Sequence, residues 1–387
     1  MFFGVIGVTV SLSEIMAVLS RYPAEVVAVP SLTPATGGFS GASVWKLESR
    51  AGRFALRVWP FSGMPPARIH GLHRLLGYLA SSGLRTVAAP VAAQDGTTLV
   101  SCAGRYWQLE PWMPGTADFH LNPTCKRLAT AMRALADWHR AAATWKPDPD
   151  DRPWFTGAAS AASPAAPSRC RQVAQWLSGK LEELKSRVSA GVTEPRREFP
   201  AAEVSSSRQL WTPDSESPQE ASAARFTALT LRILADFEAA APHVRSELDR
   251  VSTLRFRLQP CLRDIWHDHV LWTGDAVTGL IDPSAACSEN VAADLSRLLG
   301  SLVRDDGKSW RAGIDEYRKC VEFSDSEELL CGALDRSGVL LSPMTWLERR
   351  YLQGRKIEAE PDVMDRLEGQ SQRLRTLAER STRRDPL

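Results

Sequence analysis

A chain of 387 residues, 44% hydrophobic and 24% charged, outgrows a single hydrophobic core and is apolar enough to bury two. Its 47 Lys and Arg against 45 Asp and Glu leave a formal charge of +2, too little bulk field to hold nucleic acid or an anionic membrane, so the partner class is a small molecule or another protein. The seven cysteines are odd in number, widely spaced and free of any CxxC pair, which reads as reduced thiols in a cytoplasmic protein and not as a disulfide frame or zinc site.

The opening "MFFGVIGVTV" is apolar, yet it lacks a basic flank, is too short to span a bilayer and runs into helix-like "SEIMAVLSRYP". Residues 1–29 are therefore read as a soluble helical extension, with a secretory signal as the weaker reading. From Pro30 to Trp112 the punctuation is that of a sheet. "SVWKLES" and "RFALRVWP" flank "RAG", "TTLVSC" and "YWQLEPW" flank "AGR", and both pairs read as antiparallel hairpins. Between them, Ile69, Leu72, Leu75, Leu76 and Leu79 recur at helical spacing up to a glycine. The reading for 30–112 is a small β-rich lobe with one inserted helix, ending in a hinge near Glu110 to Gly115.

Residues 113–387 switch to helical periodicity. Leu128, Ala131, Met132, Leu135, Trp138 and Ala142 make one face; Val173, Trp176, Leu177, Leu181, Leu184 and Val188 a second; Phe226, Leu229, Ile233 and Phe237 a third. The stretches 157–168 and 189–224 are low in complexity and too poor in apolar residues to offset ordering, so they are read as loop or disorder. No internal repeat is present.

The segment "CLRDIWHDHVLWTGDAVTGLIDP", residues 261–283, sets four aspartates and two histidines in apolar surroundings. Val270 to Thr273 and Val277 to Ile281 are strand-like, and Gly274-Asp275 suits a two-residue turn. Closing that turn pairs Trp272 with Val277 and Val270 with Gly279, and it carries His269 to the strand end where Asp282 sits. Asp264, on the feeding loop, then joins His269 and Asp282 at one open end. Carboxylates crowded there repel unless a cation or proton is shared, and a divalent metal is the natural occupant. Solvated loop carboxylates produce the same local pattern, so this segment alone leaves both readings open. Zinc at "HDH" is the weaker reading, because alternating side chains splay apart and no third soft ligand is near.

A second signal is "TGGFSGASVWKLESRAGRFALRVWP", where Gly37, Gly38 and Gly41 precede a strand and the following strand carries Arg57. A glycine-rich turn lets backbone N–H groups approach phosphate oxygens, while a basic side chain from the next strand neutralises them. A structural turn and an edge charge account for the same residues. Arg57 shares a sheet face with Ala55 and Trp59, opposite Phe54, Leu56 and Val58.

Taken in order, the glycine loop, "FALRVWP", "QLEPWMPG", "ALADWHR", "CLRDIWHDHVL", "VTGLIDP" and "VAADLSRLLGSL" resemble the aminoglycoside phosphotransferase and choline kinase-like family, over roughly Pro30 to Val303. The resemblance implies an α+β, protein-kinase-like two-lobed fold with a small antiparallel N-lobe and a larger helical C-lobe. It implies ATP and Mg²⁺ as cofactors and a small-molecule hydroxyl as phosphate acceptor. On this pattern Asp264 falls on the aspartate that accepts or orients the substrate hydroxyl proton. Asp282 falls on the metal-binding aspartate, and Arg57 on the basic strand position. Gly37, Gly38, Ser40 and Gly41 would cover the phosphates, and the backbone of Glu110, Trp112 and Met113 would meet adenine. Asp294 matches the aspartate that braces the catalytic loop, and as an early helix residue it also suits a cap.

Three positions depart from that pattern. His269 stands where the family places asparagine, the second metal ligand, and imidazole suits Mg²⁺ poorly. Donation from His269 to phosphate, replacement by Asp268, or use of Mn²⁺ would each accommodate it. The helix from Ile69 to Leu79 offers His70 and His73 but no glutamate for Arg57, and Pro283 follows Asp282. The leading expectation is an ATP-dependent phosphotransferase. The alternative is a catalytically weak nucleotide-binding scaffold with a protein partner, and a metal-dependent hydrolase would leave the glycine loop and hinge idle.

Overall fold

Period-two alternation in "SVWKLES" and "GRFALRV" makes a hairpin with one apolar face, and that face needs a cover. The computed structural model describes residues 10–27, 31–35, 43–60, 63–157, 159–193, 218–355 and 361–383. The chain divides into two compact units, Met1–Ser163 with Leu254–Cys331 and Pro164–Thr253 with Gly332–Leu387. The first unit begins with α1 (Leu12–Leu19) and α2 (Ala24–Val27), then β1 (Ser31–Pro34), β2 (Ser43–Ser49), β3 (Gly52–Val58), α3 (Pro66–Ser81), β4 (Val100–Cys102) and β5 (Arg105–Pro111). The five strands form one antiparallel sheet in the order β1-β2-β3-β5-β4.

Leu47, Leu56, Val58, Trp107 and Leu109 of that sheet share a core with Ile15, Val18 and Leu19 of α1 and with Tyr22. Each such burial contributes on the order of 2 kcal/mol, so the described part of the expected extension is a layer of the sheet's own core. Ser11 starts α1 with a reciprocal capping box to Glu14.

The chain continues through α4 (Cys125–Ala142) and β6 (Ala159–Ala161) into the second unit, which opens with α5 (Ala165–Gln175), α6 (Leu181–Thr193) and α7 (Pro218–Ser252). Residues 157–168, expected to be structureless, thus supply a strand and the first turn of a helix. Small side chains permit it: Ser163, Ala165 and Ala166 are buried, and β6 pairs along β7 (Phe256–Cys261). Of the second low-complexity stretch, 194–217 lie outside the described residues, and its described flanks are helical.

After β7 come β8 (Val270–Thr273), β9 (Ala276–Leu280), β10 (Cys287–Glu289), α8 (Ala292–Leu302), α9 (Gly307–Arg318), α10 (Asp325–Leu347) and α11 (Pro361–Arg383). β10, β7 and β6 form a three-stranded antiparallel sheet. Within the second unit α7 packs against α5 and α11, and Arg336 grips Glu247 through Nε and Nη2 at 2.6 and 2.8 Å. Among the described residues no helix is long and apolar enough to cross a membrane.

The hairpin β8–β9 departs from the expected register. Trp272 faces Val277 as expected, but Val270 faces Leu280 and Leu271 faces Gly279, because Thr278 is inserted as a bulge. The inserted residue has a local reason: its hydroxyl donates to the Pro114 carbonyl at 2.6 Å. Thr116 and Trp272 also exchange backbone hydrogen bonds of 3.0 and 2.9 Å, and the Leu280 N–H donates to the Thr86 carbonyl at 2.8 Å. The hinge strand end is thereby clamped to the hairpin.

Gly115 makes the clamp possible. Its φ is +103°, and a Cβ there would lie 2.5 Å from both the Trp272 carbonyl oxygen and Thr278 Oγ1. Gly115→Ala is expected to destabilise the protein by about 2 kcal/mol or more. Urea unfolding measures this, and an unchanged midpoint would show that the clamp yields without cost.

Candidate active site

All described residues of the site belong to the first unit. After β7 the chain turns through Arg263 at φ +68°, and Asp282, at the end of β9, adopts φ +53°. Left-handed conformations at non-glycine residues persist only where their surroundings hold them. Asp294, fully buried in the first turn of α8, supplies that hold for Arg263. Its Oδ1 accepts from the Arg263 N–H at 2.6 Å, and its Oδ2 accepts from the Leu262 N–H at 2.7 Å and from His139 Nε2–H at 2.9 Å. A carboxylate only accepts, so the proton of His139 sits on Nε2, and Nδ1 receives the Tyr317 hydroxyl at 2.8 Å. Burial pushes the Tyr317 hydroxyl further up from its ordinary range, which keeps it a donor. Asp294 does not cap α8, whose N-cap position is Val291.

One turn further along α8, Arg297 donates Nε and Nη2 to Asp264 Oδ1 at 3.1 and 2.8 Å. The two side chains are 42% and 48% exposed, so the pair contributes less than about 1 kcal/mol to stability, and its effect is orientation. Among the described residues Asp264 Oδ2 has no hydrogen-bond partner.

His269 lies between the two expected aspartates. Its Nδ1–H donates to the Asp264 carbonyl at 2.8 Å, and its Nε2 accepts the indole N–H of Trp266 at 2.9 Å. Indole nitrogen is a donor only, so the Nε2 lone pair is already engaged. The expectation that His269 ligates a metal is therefore not met by this arrangement, nor can Nε2 donate to phosphate while it accepts from Trp266. Asp282 Oδ2 stands 4.0 Å from that same Nε2, and its Oδ1 receives Arg57 Nη1 at 3.3 Å. The structure thus sets this imidazole between the main chain of Asp264 and the carboxylate of Asp282, whose other oxygen takes Arg57, while the Asp264 carboxylate is turned to Arg297. Asp268 instead faces His267, at 3.3 Å.

Arg57 has a second acidic neighbour, Glu110, 3.6 Å away on β5. Burial opposes the guanidinium's charge, but Glu110 and then Asp282 outweigh it and raise its pKa. Burial likewise pushes the Glu110 carboxyl above its ordinary range, held back by Arg57 and by a 2.6 Å hydrogen bond from Gln108 Nε2. Gln108 Oε1 accepts from Trp59 Nε1 and from His73, each at 2.9 Å, and His73 Nδ1 lies 2.9 Å from Thr98 Oγ1. A continuous polar chain therefore runs from α3 through β5 to Arg57 and Asp282.

Of the remaining expected residues, Trp112 directs its N–H to the Arg53 carbonyl at 2.9 Å, and Met113 is buried against Gly279. Gly37, Gly38, Ser40 and Gly41 lie outside the described residues. Sequence reasoning did not single out Gln108, Trp266, His139, Arg297 or Tyr317. Two of them left a signal. Gln108 and Glu110 sit at alternate positions of an apolar strand, and Asp294 and Arg297 are three apart on one helix. A further cluster, His139, Cys261 and Asp294, has donor atoms within 4.8 Å of one another. Its carboxylate already takes three N–H groups and the Cys261 thiol, pushed well up by burial, faces the Glu289 carbonyl at 3.3 Å, so the cluster is a hydrogen-bonded brace.

His73 is 5% exposed, and burial pushes its pKa down to about 4. Its unfolded value is 6.5, so the unfolded chain takes the proton first. The stability it contributes is complete above pH 6.5 and is lost as pH falls through about 4, a change of up to about 3 kcal/mol. His73→Gln is expected to flatten that part of the acid limb in unfolding curves recorded between pH 7 and 4, and an identical acid limb would place the titration elsewhere.

Comparison with known proteins bears on this geometry. A family model described as a phosphotransferase enzyme family matches residues 31–327. No curated protein sequence matches the chain. The structure is similar to that of an aminoglycoside phosphotransferase from Alicyclobacillus acidocaldarius subsp. acidocaldarius DSM 446, with a TM-score of 0.58 at 16% identity over 95% of each chain. A spectinomycin phosphotransferase in complex with ADP and spectinomycin gives 0.58 at 13% identity, covering 92% of this chain and 93% of that one. An amicoumacin kinase in complex with AMP-PNP, Ca²⁺ and Ami gives 0.57 at 11%, covering 95% and 94%. At such identities the likeness establishes the α+β, protein-kinase-like fold.

Proposed function

The chain belongs to the phosphotransferase enzyme family, whose members phosphorylate hydroxyl groups of small molecules, and from that premise we propose that it moves the γ-phosphoryl group of ATP to such a hydroxyl through Asp264. The observation that carries the assignment is that His269 lies between the Asp264 carbonyl and the Asp282 carboxylate, whose other oxygen receives Arg57. Membership in this family gives the scaffold alternative no support.

Asp282 fits a hard divalent cation such as Mg²⁺, which is held by one or two carboxylates together with substrate phosphates. With the imidazole of His269 engaged by Trp266, the reason to prefer Mn²⁺ falls away. When bound, the cation neutralises phosphate charge. Arg57 adds a fixed positive charge beside it, and Gly37, Gly38, Ser40 and Gly41 are assigned to the phosphates by family position. The base is assigned to the backbone from Glu110 to Met113, with the Trp112 N–H already directed to Arg53.

Asp264 orients the acceptor. Arg297 holds Oδ1, so Oδ2 is the atom that receives the hydroxyl hydrogen and aims the oxygen at phosphorus. Phosphoryl transfer asks little covalent chemistry of the protein, and positioning plus electrostatic stabilisation carry most of the acceleration. Asp294 contributes by fixing the backbone of 262–263 that presents Asp264. Ligands of the similar structures, spectinomycin and Ami, support a small-molecule acceptor. Seven free cysteines support a reducing compartment, the cytoplasm.

Turnover of γ-labelled ATP against a pool of hydroxylated metabolites tests the assignment. Asp264→Asn is expected to lower turnover by about 10²- to 10⁴-fold while thermal stabilisation by ATP with Mg²⁺ persists. Asp282→Ala is expected to abolish that stabilisation. Equal turnover in wild type and Asp264→Asn would remove Asp264 from the chemistry.

A further inference from the structure

We infer that Glu110 is the positioning residue for Arg57, so that the phosphate-facing guanidinium is balanced across the register of two adjacent strands and not by an acidic residue on helix α3. The inference rests on the phosphotransferase reading of the site. α3, PARIHGLHRLLGYLAS, carries no acidic residue, and what it turns toward the sheet is His73. That imidazole is neutral at physiological pH, because burial depresses its pKa, and it is bonded to Gln108. It cannot balance a guanidinium.

The balance comes from the sheet itself. β3 and β5 pair with Ala55 opposite Glu110 and Arg57 opposite Gln108, so Arg57 and Glu110 are diagonal neighbours on one face. Trp59 Nε1 and His73 Nε2 both donate to Gln108 Oε1, which turns the amide nitrogen toward Glu110 Oε2 at 2.6 Å. Glu110 Oε1 is then the oxygen directed at Arg57, 3.6 Å from Nη2. The two carboxylates around Arg57 differ in freedom. The Glu110 side chain is 11% exposed and held by Gln108, while Asp282 is 24% exposed and is assigned to the cation. Glu110 is the partner that stays with Arg57 whatever Asp282 binds. Strand register sets the spacing of the pair, and α3 enters only through His73, one of the two donors that orient Gln108.

Glu110→Gln keeps the shape and the acceptor for Gln108 while removing the charge. Calorimetric affinity for ATP with Mg²⁺ is expected to fall about tenfold in Glu110→Gln and at least as far in Arg57→Met, and the double variant is expected to match Arg57→Met alone. Unchanged affinity in Glu110→Gln, or losses that multiply in the double variant, overturns the inference. Wild-type protein that fails to bind ATP overturns the phosphotransferase reading and this inference with it. Should Glu110→Gln not fold, urea unfolding of Glu110→Met against the Glu110→Met/Arg57→Met pair decides. Removing both members of a buried ion pair restores stability lost on removing one. A double variant no more stable than the Glu110→Met single overturns the coupling.

Discussion

Beneath the loop that carries Asp264 lies a carboxylate with no exposure to solvent, and its three accepted N–H groups decide how that loop is held. Asp294 is tolerable there only because its oxygens are bonded to Leu262, Arg263 and His139. Hydrogen bonds to a charged group contribute roughly 1.5–3 kcal/mol each, enough to hold Arg263 at a positive φ that it would not adopt alone. His139 belongs to α4 and passes the constraint to Tyr317 of α9. Helix, loop and helix are thus joined through one buried anion, and Asp264 is presented by the loop they hold.

The charges of the site are arranged in two tiers. Glu110 and Gln108 are buried, the Arg57 side chain is 11% exposed, and all three are bonded, which gives them one geometry. Asp264 and Arg297 are half exposed, where water competes with their pairing and the carboxylate stays open to solvent. His269 joins the tiers without carrying charge between them. With one nitrogen donating to Asp264's carbonyl and the other accepting from Trp266, it works as a spacer that sets the loop against Asp282. The histidine in the place of an expected asparagine is thereby explained by neighbours on its own loop, since Trp266 is three residues away.

Much of the architecture was legible in the sequence, because alternation and helical spacing are local properties. The hairpins β2–β3 and β4–β5, the helix α3 and the pairing of Trp272 with Val277 follow from such patterns. The order of motifs along the chain indicated the family, and Asp264, Asp282 and Arg57 were marked by it. The register at Val270 was not legible, because the bulge at Thr278 answers to Pro114, more than 160 residues earlier. The packing of α1 onto the sheet was missed for the same reason: an amphipathic helix declares that it needs a partner and does not say which.

By itself the sequence determined the element types, the carboxylates available for chemistry and the absence of an acidic residue on α3, all properties readable from residue identity and short spacing. Only the tertiary structure decided that Glu110 turns its side chain to Arg57, that Trp266 occupies the lone pair of His269 and that Arg297 holds one oxygen of Asp264. Each of these depends on the direction of a side chain. Direction is set by sheet register, by tautomer and by helix phase, which emerge when distant segments pack together.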